Sequence, residues 1–345
     1  MKYNCGFERE NHWFRYRTGG MLIGLLVMLV ACSSKNNEIQ TDNIEEVSSN
    51  SAEINTEDEE DVLSQVSADA EDNGERDLSG EIDGKEEEIN EQPYAFKFVD
   101  VYGEEYETII KVGFPKTEYS NDCFWFEDER TGYDGEIYVS RQGVDVSHHQ
   151  GFIDWNKVKA AGIEFAILRI GYRGYGQKGT INLDKEFKRN IENAQAAGID
   201  IGVYFFAQAI NEDEAREEAD FVLKNLEGYE LQLPIVYDPE SILDAPARTD
   251  DVSGEQFTKN TIVFCEAVKE AGYTPMIYSN MLWEAFEFDM EQLDMYQFWY
   301  ADYEKFPQTP YAYEIWQYSN EGHVDGINGF VDLDIQFIKK ANGYS

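Results

Sequence analysis

The chain has 345 residues, of which 42% are apolar and 14% aromatic, enough for a sizeable core and compatible with one large domain or two. Asp and Glu outnumber Lys and Arg by 69 to 28, for a formal net charge of -41. This excludes nucleic acid as a partner, because binding a polyanion rests on basic side chains that neutralise phosphates. Any carbohydrate partner must be held by stacking and hydrogen bonds.

Lys2, Arg9, Arg15 and Arg17 precede an apolar run over 21–31, which ends at Cys32-Ser33-Ser34. A span of the hydrocarbon core needs roughly twenty apolar residues, so 1–32 reads as an export signal and not as a permanent membrane span. Leu29-Val30-Ala31-Cys32 resembles the bacterial lipobox, which implies lipid attachment at Cys32 and a membrane contact through that anchor. An uncleaved signal anchor or plain secretion is the alternative. Either way the remainder is expected outside the cytoplasm, on the outer membrane face or in the wall.

Residues 33–92 contain no aromatic side chain, and about twenty carboxylates face only Lys35, Arg76 and Lys85. Such a segment cannot bury enough apolar surface to offset its ordering entropy, and a disordered acidic tether is expected. Aromatics return at Tyr94, and alternating runs over 94–141 predict short strands. This small β-rich extension, 93–142, is too short for a robust core of its own and is expected to pack on the domain C-terminal to it.

From Gly143 onward, short apolar segments at 165–170, 199–206, 233–237 and 274–278 read as strands. Between them, 184–197, 211–226 and 253–271 show helical spacing, with Asn211 and Ser253 as N-caps and Gly228 and Gly272 near the ends of the later two. After about residue 286 come the strand-like stretches 298–303, 314–319 and 331–335, with little helix between them. The expectation is an α/β fold: a parallel sheet closed as a barrel, regular for five units and irregular for the last three. The four cysteines show no paired spacing, and Cys265 and Cys123 read as small buried apolar side chains.

In such a barrel, chemistry sits at the carboxyl ends of the strands. Asp145 ends the first strand, Asp238 and Glu240 end the fourth, and Asp332 lies in Val331-Asp332-Leu333-Asp334. Residues two apart on a strand share a face, so Asp238 and Glu240 should point into one site. Facing carboxylates raise each other's proton affinity, which leaves one protonated while its neighbour stays ionised. Glycoside cleavage needs that pairing, an acid for the leaving oxygen and a negative group for the oxocarbenium-like centre.

Gly143-Val144-Asp145-Val146-Ser147-His148-His149-Gln150-Gly151, Asp154-Trp155, Asp238-Pro239-Glu240, Trp316-Gln317-Tyr318-Ser319, Val324-Asp325-Gly326-Ile327 and Val331-Asp332-Leu333-Asp334 resemble the successive motifs of glycoside hydrolase family 25. The resemblance covers roughly 143–338 within an expected catalytic domain at 143–340. It implies a flattened TIM-like (β/α)5(β)3 barrel and a lysozyme, an N-acetylmuramidase that cuts the β-1,4 bond between N-acetylmuramic acid and N-acetylglucosamine of peptidoglycan. It further implies Glu240 as general acid, Asp238 as its carboxylate partner, and Asp145 and Asp332 completing the ring. The attacking group stays open between the substrate acetamido oxygen and a carboxylate. His149 stands where many members carry an aromatic.

Tyr204, Tyr278 and Trp316 are the expected sugar-stacking walls, with His149 as a further substrate contact, while most other strand-end aromatics read as core. The 172–179 segment is glycine-rich without phosphate-loop spacing and reads as a cleft-lining loop. His148 and His149 beside Asp145 would suit zinc, but only His12 and His323 remain, and no metal or other cofactor is expected. A monomer is expected. Two rival readings are a lectin-like lipoprotein that binds wall glycan without cutting it and an adhesin working through the N-terminal β segment.

Overall fold

The computed structural model describes residues 93–101, 103–110, 116–243 and 245–341. The expected signal, lipobox cysteine and acidic tether lie outside the described residues. Among the described residues, no helix is long and apolar enough to cross a membrane.

Four short strands come first, as two antiparallel hairpins: β1 (Tyr94–Val99) with β2 (Glu105–Ile110), and β3 (Phe124–Glu127) with β4 (Arg130–Tyr133). The barrel strands are β5 (Tyr138–Val146), β6 (Phe165–Arg173), β8 (Asp200–Ala207), β9 (Ile235–Pro239), β10 (Pro275–Asn280), β11 (Gln297–Ala301), β12 (Ile315–Gly322) and β13 (Val331–Lys339). Their order is β5-β13-β12-β11-β10-β9-β8-β6, and the β5–β6 pairing closes the ring. Short β7 (Ile181–Leu183) hangs on β6. Within the eight-stranded ring, all neighbours are parallel except β13, which runs antiparallel to β12 and β5.

Helices α1 (Trp155–Ala160), α2 (Phe187–Ala196), α3 (Glu212–Asn225), α4 (Gly254–Glu270) and α5 (Met290–Leu293) come after the first five barrel strands, and none lies between the last three. The expected five regular and three irregular units are what the chain forms. Local chemistry sets several of the boundaries. The Asn211 side chain accepts from Glu214 N, and Ser253 accepts from Gln256 N, so α3 and α4 start at the expected caps. Gly272 takes the left-handed conformation that ends α4, at φ 87°.

Three boundaries differ from expectation. β5 begins at Tyr138, ahead of 143, because β13 pairs along it from Tyr138 to Asp145, whereas β6 pairs only with its upper part, from Gly143. The 172–179 segment is the turn of a β6–β7 hairpin. Helix α2 starts at Phe187 and not at 184, with Asp184 in the turn before it, accepting from Glu186 N at 2.9 Å.

Side chains alternate across the barrel wall. One face of each strand fills the interior: Phe165, Ile167, Val236, Met276, Trp299 and Ile315 form an apolar floor. Gly143 belongs to this face, and a Cβ there would lie 2.1 Å from the Phe165 ring. The other face packs outward on the helices, and Cys265 of α4 is fully buried there, whereas Cys123 is half-buried.

The last three strands lack helical cover, and the N-terminal extension supplies it. Phe124 packs against Trp316 (5.5 Å between centroids), Tyr133 (5.0 Å) and Phe337 (6.0 Å). Tyr119 stacks on Phe337 at 3.7 Å, and its hydroxyl donates to Tyr313 O at 3.0 Å. Higher up, Phe98 of β1 meets Phe286, and Gln308 bonds both Val99 N and Val99 O at 2.8 Å. Phe98, Ile110, Phe124 and Tyr133 of the extension thus lie in the same buried cluster as the barrel's outer side chains. Phe124→Ala is expected to cost about 3–4 kcal/mol of unfolding free energy, measured by denaturant titration, since it opens a cavity between two layers. A loss below about 1 kcal/mol would show that the extension only leans on the barrel.

Candidate active site

Above the apolar floor, the next inward-facing position of successive strands is polar. Asp145 of β5 lies directly opposite Asp332 of β13 in the ladder. Val236 and Asp238 share the inward face of β9, with Glu240 two residues on, so the alternation brings Asp145, Asp238, Glu240 and Asp332 together at the mouth as expected. Charge interactions link all four. Asp334 shares the Asp332 face one step deeper, fully buried, and accepts from Trp299 Nε1 at 2.8 Å. Asp325 is exposed in the preceding turn.

Removing these groups from water dominates their proton affinity. Burial pushes Glu240 up to about 7. Burial, aided by the Glu240 charge, pushes Asp145 to about 7 against the bond from Gln317. Asp238 is raised well above the usual carboxyl range by burial and then by the charges of Glu240 and Asp145. Asp238 and Glu240 also hydrogen-bond each other, so the pair retains a proton near neutrality.

Sequence reasoning passed over several residues that organise this ring. Arg169 of β6 stands in phase with Phe165 and Ile167 and so faces inward, and its charge opposes the raised proton affinity of Asp145, Asp238 and Glu240. An Arg inside the apolar run 165–170 was the available signal. Its guanidinium bonds Asp184 Oδ2 (Nε at 2.9 Å) and His148 Nδ1, and lies over the Tyr172 ring. Asp184 also accepts from the backbone N–H groups of His148 and Glu186. Burial opposes its ionisation, but Arg169 and those N–H groups hold its carboxyl below the usual range.

His148 Nδ1 lies between the Arg169 guanidinium and Asp184 Oδ2, the latter at 3.2 Å, and burial and Arg169 lower the ring's proton affinity. His148 and His149 lie in a 3₁₀ turn with ring centroids 4.1 Å apart, where strand geometry would have sent them to opposite faces. His149 is exposed. Among the described residues, no cluster of three metal-ligating side chains occurs.

Gln317 is the second residue passed over. Its Nε2 donates to Asp145 Oδ2 at 2.7 Å, and its Oε1 accepts from Tyr278 (2.9 Å) and Tyr303 (3.0 Å). The two hydroxyls fix which end of the amide faces the carboxyl. Tyr278 is thereby anchored at the mouth, and Tyr204 lies just below, edge-on to Trp299 at 6.0 Å. Trp316 is not there. The alternation that turns Gln317 inward turns Trp316 outward, where it is 1% exposed, packs on Phe124 and donates to Asp302 O at 2.8 Å. It is a core residue of the outer wall and not a stacking platform.

The sequence profile of "Glycosyl hydrolases family 25" matches residues 144–327, more than half of the chain. The chain belongs to this family. Among curated relatives of this family 25 chain, the "Autolytic lysozyme" of Clostridium acetobutylicum is 26% identical over 196 residues, covering 56% of this chain and 55% of its own. "Lysozyme M1" of Streptomyces globisporus is 28% identical over 212 residues, covering 55% of this chain and 66% of its own. The family 25 chain thus spans little more than half to about two thirds of these relatives. In fold it is similar to the modular autolysin LytC of Streptococcus pneumoniae, with TM-score 0.50 and 24% identity over 71% of this chain and 56% of that one.

Carboxyls whose proton affinity rises on folding stabilise the protein below their unfolded range, near pH 4, and this contribution is lost as pH climbs through the folded values of about 7. Asp334 is raised well above the usual range by burial, and its Oδ2 has no hydrogen-bond partner. Asp334→Asn keeps the acceptor for Trp299 and removes one such group. Thermal melts should therefore show the variant gaining on wild type between pH 5 and pH 8; a pH-independent difference would refute this.

Proposed function

We propose that this family 25 chain is a peptidoglycan hydrolase, an N-acetylmuramidase (lysozyme) with Glu240 as general acid and Asp238 as its partner. The observation that carries the proposal is the meeting of Asp238 and Glu240 with Asp145 and Asp332 at the barrel mouth, where burial raises the proton affinity of all four. Near neutral pH, Glu240 gives its proton to the glycosidic oxygen, and the N-acetylglucosamine 4-hydroxyl leaves. Asp238, ionised once the pair's proton has passed through Glu240 to the leaving oxygen, stabilises the positive charge developing at C1 of the N-acetylmuramic acid residue and orients its acetamido group. Water then adds at C1, with Glu240 taking back the proton. Asp145 and Asp332 complete the ring, and Arg169 keeps its total charge in bounds.

The names of the curated relatives, a lysozyme and an autolytic lysozyme, support peptidoglycan as substrate. Tyr278, Tyr204 and His149 are the proposed sugar contacts, and a neutral face of rings and hydroxyls suits a glycan that net charge would repel. In the full reading, 1–32 is a lipoprotein-type signal, Cys32 the lipid anchor, 33–92 the tether and 143–340 the catalytic domain. The enzyme would act as a monomer on wall above the membrane.

The test is digestion of peptidoglycan by the full chain and by Glu240→Gln, with new reducing ends identified by mass spectrometry after borohydride reduction. Wild type should release reduced muramic acid ends, and Glu240→Gln should be slower by at least about a hundredfold while remaining folded. Glucosamine ends would reassign the bond. Intact glycan with both proteins, together with retained binding, would favour a glycan-binding role without cleavage.

A further inference from the structure

Strand β9 gives out where the chemistry begins. Its last ladder pairs are Ala207 with Pro239 on one side and Ile277 with Tyr237 on the other, so Glu240 lies one residue beyond the sheet. Pro239 has no N–H with which to steady this end. The Glu240 carbonyl is taken up by a side chain, with Gln208 Nε2 donating to it at 2.7 Å. Gln208 comes directly after Ala207, so its amide acts as one more rung of the β8–β9 ladder.

That amide is itself fixed. The Thr249 hydroxyl donates to Gln208 Oε1 at 2.9 Å, which sets which end of the amide faces Glu240. Gln208 N donates to Glu218 Oε1 of α3 at 3.2 Å, and Glu218, fully buried, is gripped by Arg173 Nε at 2.7 Å. Gln208 is 1% exposed and Thr249 6%, so water does not compete for these bonds.

We infer that Gln208 is a positioning residue for Glu240: held by Thr249 and the Glu218–Arg173 pair, it fixes the Glu240 main chain and so the meeting of the Glu240 and Asp238 carboxyls. The inference rests on the proposed role of Glu240 as general acid. Without the rung, Glu240 is the first residue of an unpaired loop, free to swing its carboxyl toward solvent. The desolvation that keeps Glu240 protonated near neutrality then weakens, and it loses its acid form at lower pH.

The experiment compares wild type, Gln208→Met, Thr249→Val and Glu240→Gln as full chains on peptidoglycan. Reducing-end release is measured from about pH 4 to 9, alongside thermal melts. Gln208→Met keeps length and burial but neither hydrogen bond. It should lower kcat roughly tenfold to a hundredfold, leave KM within about twofold, and move the alkaline limb of the kcat profile to lower pH. Thr249→Val, which frees the amide to turn, should shift both in the same direction by less.

A folded Gln208→Met with wild-type kcat and an unmoved limb overturns the inference. So does a lowered melting temperature with reduced activity but no movement of the limb, which would mark a purely structural role. If Gln208→Met does not fold, Thr249→Val decides by the same criteria. Glu240→Gln separates the two levels. Turnover by that variant defeats the general-acid reading itself, whereas an inactive Glu240→Gln beside a wild-type-like Gln208→Met defeats only the positioning role.

Discussion

Asp145, Asp238 and Asp334 are buried inside the barrel, Glu240 and Asp332 are half-buried beside them at its mouth, and the charge of Arg169 reaches Asp145, Asp238 and Glu240. Water is kept from below by the apolar floor, so neighbouring carboxylates cannot all ionise. Protons stay bound near neutrality, and the geometry decides which oxygens carry them. Arg169 cannot neutralise the ring outright, because Asp184 already occupies its guanidinium. The same desolvation that costs stability supplies a carboxylic acid at a pH where an ordinary one would be spent. Stability and the supply of a protonated acid are therefore opposed at this mouth, as they are wherever a buried acid is kept for chemistry.

Around the ring, the supporting bonds run from uncharged groups, among them the Trp299 indole on Asp334. Gln317 holds Asp145 and is oriented by Tyr278 and Tyr303; Gln208 holds the Glu240 carbonyl and is oriented by Thr249. An amide suits this task because it donates and accepts at once without adding charge to a site that already carries too much of one sign. Lys or Arg in those places would bind the carboxylates more tightly and drive off the protons the chemistry needs.

The outer wall is a consequence of topology. Helices on the outside of a parallel barrel bury its apolar outer face, and here they stop after five units. The remaining strands still present Trp316, Leu333, Ile335 and Phe337 outward, and the extension covers this side with Phe124, Tyr119 and Tyr133. A segment of fewer than fifty residues with too little apolar surface for a core of its own thus completes the core of its neighbour.

Much of this was legible in the residues. Apolar runs bounded by Gly and Pro, with capped helical periods between them, give the barrel and its five-plus-three rhythm, because strand and helix periods are local properties. Alternation within one strand likewise put Asp238 and Glu240 on one face. What local pattern did not determine was which face of each strand turns inward when aromatic residues occupy both. Trp316 and Gln317 differ by one position, and only ring closure sets that phase, burying Trp316 in the wall and giving Gln317 to Asp145. Asp184 likewise reads as a helix start until the fold brings Arg169 and His148 to it. Periodicity and strand-end chemistry were written in the sequence; pairing among side chains distant along the chain was decided by tertiary structure, because barrel closure alone brings those strands into one space.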